Sequence, residues 1–228
     1  GSERYHHAKA MIDISVKMKD FVSMAHPVKA RLRDVLIKTL NVTPVVGKWL
    51  REGGFKPTPT YRAGSYLGLA RRKRKGVEGT MLPQPLVRTF KGKRVLLDDL
   101  LGDGFALIGL SCNPQEHLGA EAKDFLQHLG TQYMSLYSFA GRPQGKSVQR
   151  HTPAGLIEVE EADGVLVDWF RKASPGSAPV AIIRPDKFVF ALVDALQLEA
   201  AVAQLKEQLG WQPAMAVANA ETRLRKSA

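Results

Sequence analysis

The 228-residue sequence predicts an α/β protein: a domain of alternating strands and helices, preceded by a helical segment and an extended crossing. Three observations carry this. Residues 3–25 contain no Pro or Gly, residues 55–90 hold four of each, and beyond Lys93 short apolar runs alternate with helical periodicity.

The helical segment spans residues 3–54. From Glu3 to about Ala25, positions Ala8, Met11, Ile12, Ser15 and Val22 fall near one helical face, enough for about six turns. Pro27 ends that helix and opens a second from its first turn, with Val28, Leu32, Val35, Leu36 and Leu40 spaced along one face. Thr43-Pro44 reads as an N-cap followed by Pro at N1, and Gly53-Gly54 closes the short helix carrying Trp49 and Leu50. Three apolar faces with no strand among them must be buried against something, and about 55 residues make too small a core alone. The expectation is a segment made to pack on structure outside this chain. Residues 55–94 then read as an extended crossing, in which Tyr61, Tyr66, Leu67, Met81 and Leu82 need cover.

Residues 95–210 carry the domain proper, and 211–228 a tail. "VLLDDLLGDG" is a short helix or turn and "FALIGLS" a buried strand. Ala122, Phe125, Leu126 and Leu129 form a helical face stopped by Gly130, "YMSLYSF" is a second strand, and residues 163–171, with Val165, Leu166 and Trp169, another helix. "PVAIIRPDKFVFALV" reads as two strands joined by a tight turn at Arg184-Pro185-Asp186-Lys187. A last helix starts at Asp194 with Gln197 placed as in a capping box, presents Leu198, Val202, Leu205 and Leu209, and stops at Gly210. The resulting order, β-α-β-α-β-β-α, is that of a thioredoxin-like fold. No internal repeat is present.

Composition bounds the function. No stretch reaches the roughly 20 apolar residues of a membrane helix, and the first residues lack a signal pattern. One cysteine excludes an internal disulfide and fits a reducing cytoplasm. The net charge of +11 is unevenly held: residues 1–95 carry 21 Lys/Arg against 6 Asp/Glu, whereas residues 96–228 carry 12 against 16. The sharpest run, "RRKRK" at 71–75, sits among glycines with no aromatic-rich RNA-binding signature, so it reads as a solvated loop and nucleic acid is not the expected partner.

The segments "GTMLPQPLV", "LLDDLLGDGFALIGL" and "PVAIIRPDKFVFALV" resemble, in order and spacing, the C-terminal domain of group A flavin-dependent aromatic monooxygenases, the phenol hydroxylases and 3-(3-hydroxyphenyl)propionate hydroxylases among them. "ERYHHAKAMIDIS" resembles the long helix that ends the FAD-binding domain of such enzymes. It is followed by Leu32-Arg33-Asp34 and by "FKPTPTY", similar to the family's crossing. The resemblance implies that the chain is the C-terminal part of a longer hydroxylase, with the upstream FAD-binding domain as its partner and homodimerisation as a role. Neither a G-x-G-x-x-G after a first strand nor a Gly-Asp-Ala-type ribityl segment occurs here, so FAD and NAD(P)H are expected for the parent and no cofactor for this chain.

Candidate chemistry within the chain centres on Cys112, in "LIGLSCNPQEH", where thioredoxin-like proteins place a Cys-x-x-Cys; here Gln115 replaces the second cysteine. A helix N-terminus aimed at its sulfur would favour the thiolate. The competing reading is an inert residue at a strand end, and that is the one expected. His117 lies five residues on, where it either approaches the thiol or caps the helix. His6, His7, His26, His128 and His151 lack metal-ligand spacing, and Ser111, Ser135 and Ser138 lack a nucleophile elbow. "EVEEADG" at 158–164 reads as acids favoured by a helix start. Pro179, just before "VAII", holds the place of the often cis proline of thioredoxin-like folds, which makes Ala178-Pro179 a candidate cis bond. Two other classes stay open: a stand-alone single-cysteine oxidoreductase, and a basic nucleic-acid-associated module.

Overall fold

A computed structural model describes residues 2–51, 59–61, 64–68, 76–89, 91–139, 141, 155–173 and 176–211. The chain forms two compact units, Gly1–Gly64 and Ser65–Ala228. The basic run at 71–75, Gly53-Gly54, His151 and residues 212–228 lie outside the described residues.

The first unit holds α1 (Ser2–Val22), α2 (Pro27–Val42) and α3 (Pro44–Arg51), as the Pro-free start and the two Pro-led starts dictate. Arg33 on α2 closes the end of α1: its Nη1 donates to the carbonyls of Val22 at 2.6 Å and Phe21 at 3.3 Å, carbonyls that the helix itself leaves without donors. Asp34 accepts from the same guanidinium at 2.7 Å, so the Leu32-Arg33-Asp34 stretch is a helix-to-helix clip. Within this unit the apolar faces stand open. Leu32 is 69% exposed, Val35 61% and Ile12 63%.

The second unit is built on one seven-stranded sheet, with strands β1 (Leu86–Thr89), β2 (Arg94–Leu96), β3 (Ala106–Leu110), β4 (Gln132–Ser138), β5 (Leu156–Glu161), β6 (Pro179–Ile183) and β7 (Val189–Asp194). They run β2-β1-β5-β4-β3-β6-β7 across the sheet. Helices α4 (Leu97–Leu101) and α6 (Val165–Ala173) cover one face, packing Leu97, Leu101, Leu166 and Phe170 on Ile108, Met134 and Leu136. Helices α5 (Ala120–His128) and α7 (Leu198–Gln208) cover the other, packing Phe125, Leu126, Leu198 and Val202 on Leu107, Tyr133 and Ile182. The four strands β4-β3-β6-β7, with β3 parallel to β4 and antiparallel to β6, are the thioredoxin-like core in its order. The strands β5, β1 and β2 extend it.

Several elements differ from the sequence expectation. The end of the expected crossing, residues 86–94, forms with residues 95–96 the β1–β2 hairpin, because Val87 is a core residue and Val95 packs on the core's margin. Residues 158–161 are strand β5 rather than a helix start. On α6 the buried residues are Leu166, Val167 and Phe170, one step round from the expected face, leaving Val165 52% exposed. Asp194 caps a 3-10 turn at Ala195–Gln197 by accepting the Leu196 N–H at 3.1 Å; α7 starts only at Leu198, without the expected capping box from Gln197. No cis peptide bond is present among the described residues, so Ala178-Pro179 is trans. Among them no helix is long and apolar enough to cross a membrane.

Candidate functional site

The sequence singles out the junction after β3, and local chemistry decides what it can do. Ser111 turns the chain in a left-handed conformation, φ 57°, while its N–H donates to Leu136 of the neighbouring strand at 2.8 Å. The turn folds Cys112 back over Gly109. Its carbonyl accepts the hydroxyl of the fully buried Ser135 at 2.9 Å, so this serine is held as a strut for the loop.

The segment after Cys112 is not an α-helix. Asn113 caps a four-residue 3-10 turn, Pro114–His117, accepting the Gln115 N–H at 3.0 Å and donating to Glu116 at 3.2 Å. α5 begins only after Gly119, whose N–H is taken by Glu199 of α7 at 2.8 Å. The aligned peptide dipoles of a full helix therefore do not face the sulfur.

Electrostatics push in the opposite direction to thiolate formation. Burial, then the nearby carboxylates of Asp194 and Glu116, raise the Cys112 thiol from an ordinary 9.0 to about 11. Asp194 is held below the usual carboxylate range by N–H donors from Leu196 and Ala178, assisted by Ser177 and by the charge of His117, so it is a fixed negative neighbour. His117 thus supports Asp194, and the structure brings a carboxylate rather than an imidazolium to act on the thiol. At neutral pH the arrangement holds the thiol in its neutral form.

The remaining candidates scatter. His128 sits at the end of α5, its Nδ1 2.8 Å from the Asp124 carbonyl oxygen and its ring 5.4 Å from Trp211. His6, His7 and His26 belong to the first unit. Among the described residues no group of three His, Cys, Asp or Glu side chains is placed to hold a metal ion. Of the acids at 158–164 read as favoured by a helix start, Glu161 serves one from the end of a strand: buried, it accepts the N–H groups of Leu166 and Val167 at the start of α6. Its burial and its strand went unread, although the period-two pattern of "LIEVEE" puts Glu161 on the same side as Val159.

The motifs that carry the family resemblance are joints between elements. "GTMLPQPLV" lies along the outer side of β7 and then enters β1, with Gly79 donating to Val189 at 2.9 Å and Leu82 to Lys187 at 3.0 Å. Arg184 of the "RPDK" turn lies 4.6 Å over the Tyr66 ring, donates to the Ser65 carbonyl at 3.3 Å and pairs with Asp186 at 3.1 Å.

Residues 79–208 match the family described as the HcaD C-terminal domain. Over 207 residues the chain is 35% identical to a 3-(3-hydroxy-phenyl)propionate/3-hydroxycinnamic acid hydroxylase of Klebsiella pneumoniae (strain 342), covering 91% of this chain and 36% of that protein. A 3-(3-hydroxy-phenyl)propionate/3-hydroxycinnamic acid hydroxylase 2 of Burkholderia vietnamiensis (strain G4 / LMG 22486) is 34% identical over 209 residues, covering 90% of this chain and 37% of that one. The chain spans little more than a third of the length of these curated relatives. A putative thiol:disulfide interchange protein DsbE from Chlorobium tepidum superposes with a TM-score of 0.44 at 15% identity, covering 59% of this chain and 99% of that one.

Proposed function

Because the chain belongs to the family of HcaD C-terminal domains, as residues 79–208 establish, we propose that it is the C-terminal region of a flavin-dependent hydroxylase acting on a phenolic ring. The longer protein would use FAD, NAD(P)H and O₂ in the cytoplasm, with 3-(3-hydroxyphenyl)propionate-like acids as the substrate class suggested by its relatives. In this reading the helical unit packs on the upstream FAD-binding domain, and the thioredoxin-like unit serves stability and dimerisation. The observation that carries the second half is Cys112: a single thiol, half-buried, raised to about 11 and flanked by carboxylates, a setting opposed to thiol catalysis.

The residues here do not suit FAD pyrophosphate. The nearest Gly-x-Gly, Gly102-Asp103-Gly104, precedes a strand instead of following one. A Cβ on Gly104 would lie 2.5 Å from the Gly130 carbonyl oxygen, so this glycine is used for chain-on-chain packing. The flavin and its chemistry are therefore assigned to the upstream FAD-binding domain of the proposed hydroxylase.

The test is hydroxylation by the full-length enzyme carrying Cys112→Ser. Turnover of a 3-hydroxyphenyl acid within about twofold of wild type is expected. A loss of about a hundredfold, the size associated with removing an acid–base group, would instead place Cys112 in the chemistry.

A further inference from the structure

The sheet has two edges, and the chain treats them differently. Along β7 the backbone is covered: Gly79 and Leu82 donate to Val189 and Lys187, Val189 donates to Thr80, and Leu67 donates to Phe190. Glu78 adds a side-chain cover by accepting the Leu192 N–H at 3.3 Å. β2 ends the sheet on the other side, with no further strand beside it among the described residues. In the β1–β2 hairpin Thr89 donates to Lys93 and Leu97 to Pro85, so Lys93, Val95 and Leu97 turn their backbone groups toward β1. Arg94 and Leu96 therefore turn theirs outward, as a template on which another strand could pair.

Apolar surface makes that template attractive. Leu96 is 48% exposed beside its cross-strand neighbour Leu86, 44% exposed, so a pairing strand would also take apolar area out of water. Charge works the other way. Lys91, Lys93 and Arg94 are exposed in and beside β2, Arg88 is exposed directly across from Arg94, and none of the four has an ion pair among the described residues. Two arginines set opposite each other weaken the hairpin that holds them, so hairpin stability does not account for the arrangement. Acids are close in sequence but are not used here: Glu160, in register with Arg88, forms no ion pair with it, and Asp98 on α4 is engaged by Lys187 at 3.8 Å. β2 is also cut short, since Leu97 starts α4 after only three strand residues.

We propose that the unneutralised cations of the β1–β2 hairpin guard the β2 edge and keep copies of this chain from joining sheet to sheet there. Two such edges brought together would confine Lys91, Lys93 and Arg94 of each copy to strands about 4.8 Å apart. That is inside the screening length of about 8 Å at physiological salt, so the repulsion acts at full range of contact. Brevity and charge are the recurrent protections of an exposed edge, and β2 carries both, whereas the β7 edge relies on being covered. The inference goes beyond the assembly role assigned above: any joining of copies belongs to other surfaces than β2.

The experiment compares self-association of the wild-type chain, up to about 1 mM, with that of Lys91→Gln/Lys93→Gln/Arg94→Gln. A control, Lys9→Gln/Lys17→Gln/Lys38→Gln, removes the same charge from exposed positions of the first unit. Sedimentation gives the association constant, and amide hydrogen exchange at residues 94 and 96 reports the edge itself. Association about tenfold tighter is expected for the hairpin variant alone, with the amides of residues 94 and 96 fast in wild type and slowed in that variant. Raising the salt from about 0.05 to 0.5 M should slow the same two amides in concentrated wild type, by screening and without any change of sequence. Dimers formed through other surfaces leave those amides fast, so the readout is specific to β2. Equal tightening in both triple variants would assign the effect to net charge and overturn the guard. Amides at 94 and 96 that are already slow in wild type, or that stay fast in both the hairpin variant and high salt, would overturn it as well.

Discussion

Glu161→Ala is expected to lower the unfolding free energy of the second unit by about 3 kcal/mol, since it orphans buried N–H donors. Glu161 ends β5 with 1% of its surface exposed, opposite Val87, and its carboxylate oxygens lie 2.8–2.9 Å from the N–H groups of Leu166 and 2.8 Å from that of Val167. Those are first-turn donors of α6, which the helix cannot satisfy and water cannot reach. The carboxylate also sits at the positive end of the helix dipole. Alanine removes the acceptor and leaves both donors buried. The loss propagates, because α6 delivers Leu166, Val167 and Phe170 to the core. Glu161→Gln keeps an acceptor oxygen and should cost about half as much. Urea unfolding followed by Trp169 fluorescence measures both, and a shift under about 0.5 kcal/mol for the alanine variant would show that the cap carries no weight.

Gly109→Ala is expected to cost about 2–3 kcal/mol, the range of overpacked cores. Gly109 lies in β3, hydrogen-bonded between β4 and β6, so its own backbone has nowhere to retreat. A Cβ there would stand 2.5 Å from the Cys112 carbonyl oxygen and 2.7 Å from its Sγ. The loop must move, and with it the bond from Ser135. The variant should therefore both unfold at lower urea and alkylate faster at Cys112 than wild type. Wild-type stability with unchanged reactivity would mean that the loop does not rest on β3.

What was legible in the sequence followed from local rules that tertiary structure did not override. The helices α1 and α2 are written in the absence of Pro and Gly from residue 3 to residue 25 and in Pro27. The strands β3, β6 and β7 are near-continuous apolar runs, and β4 is one broken by Ser135, because both their faces are covered. β5 was hidden because Glu161 is a polar residue at a buried position, and burial of a charge is decided by the helix end it serves. β1 and β2 were hidden by brevity and by Pro83 and Pro85, which read as crossing. At the candidate site, Cys112 was placed by its position after a strand. Its environment was not, since Asp194 arrives from β7, more than eighty residues away in sequence, and Asn113-Pro114 starts only a 3-10 turn that ends at His117.

The thiol also couples to stability. A group raised in the folded state favours its protonated form there, so its contribution is present below the unfolded value and lost as pH climbs through the folded one. The wild-type chain should lose stability between pH 9.0 and about 11 relative to Cys112→Ser, which has no thiol to ionise.

The claim that this thioredoxin-like unit is kept for architecture is tested most directly by the rate of Cys112 alkylation with iodoacetamide as a function of pH in the native chain. Slow reaction at neutral pH, rising with a midpoint near 11, is the expected result. A midpoint below about 6.5, the mark of an activated thiolate, would contradict it and return Cys112 to catalysis.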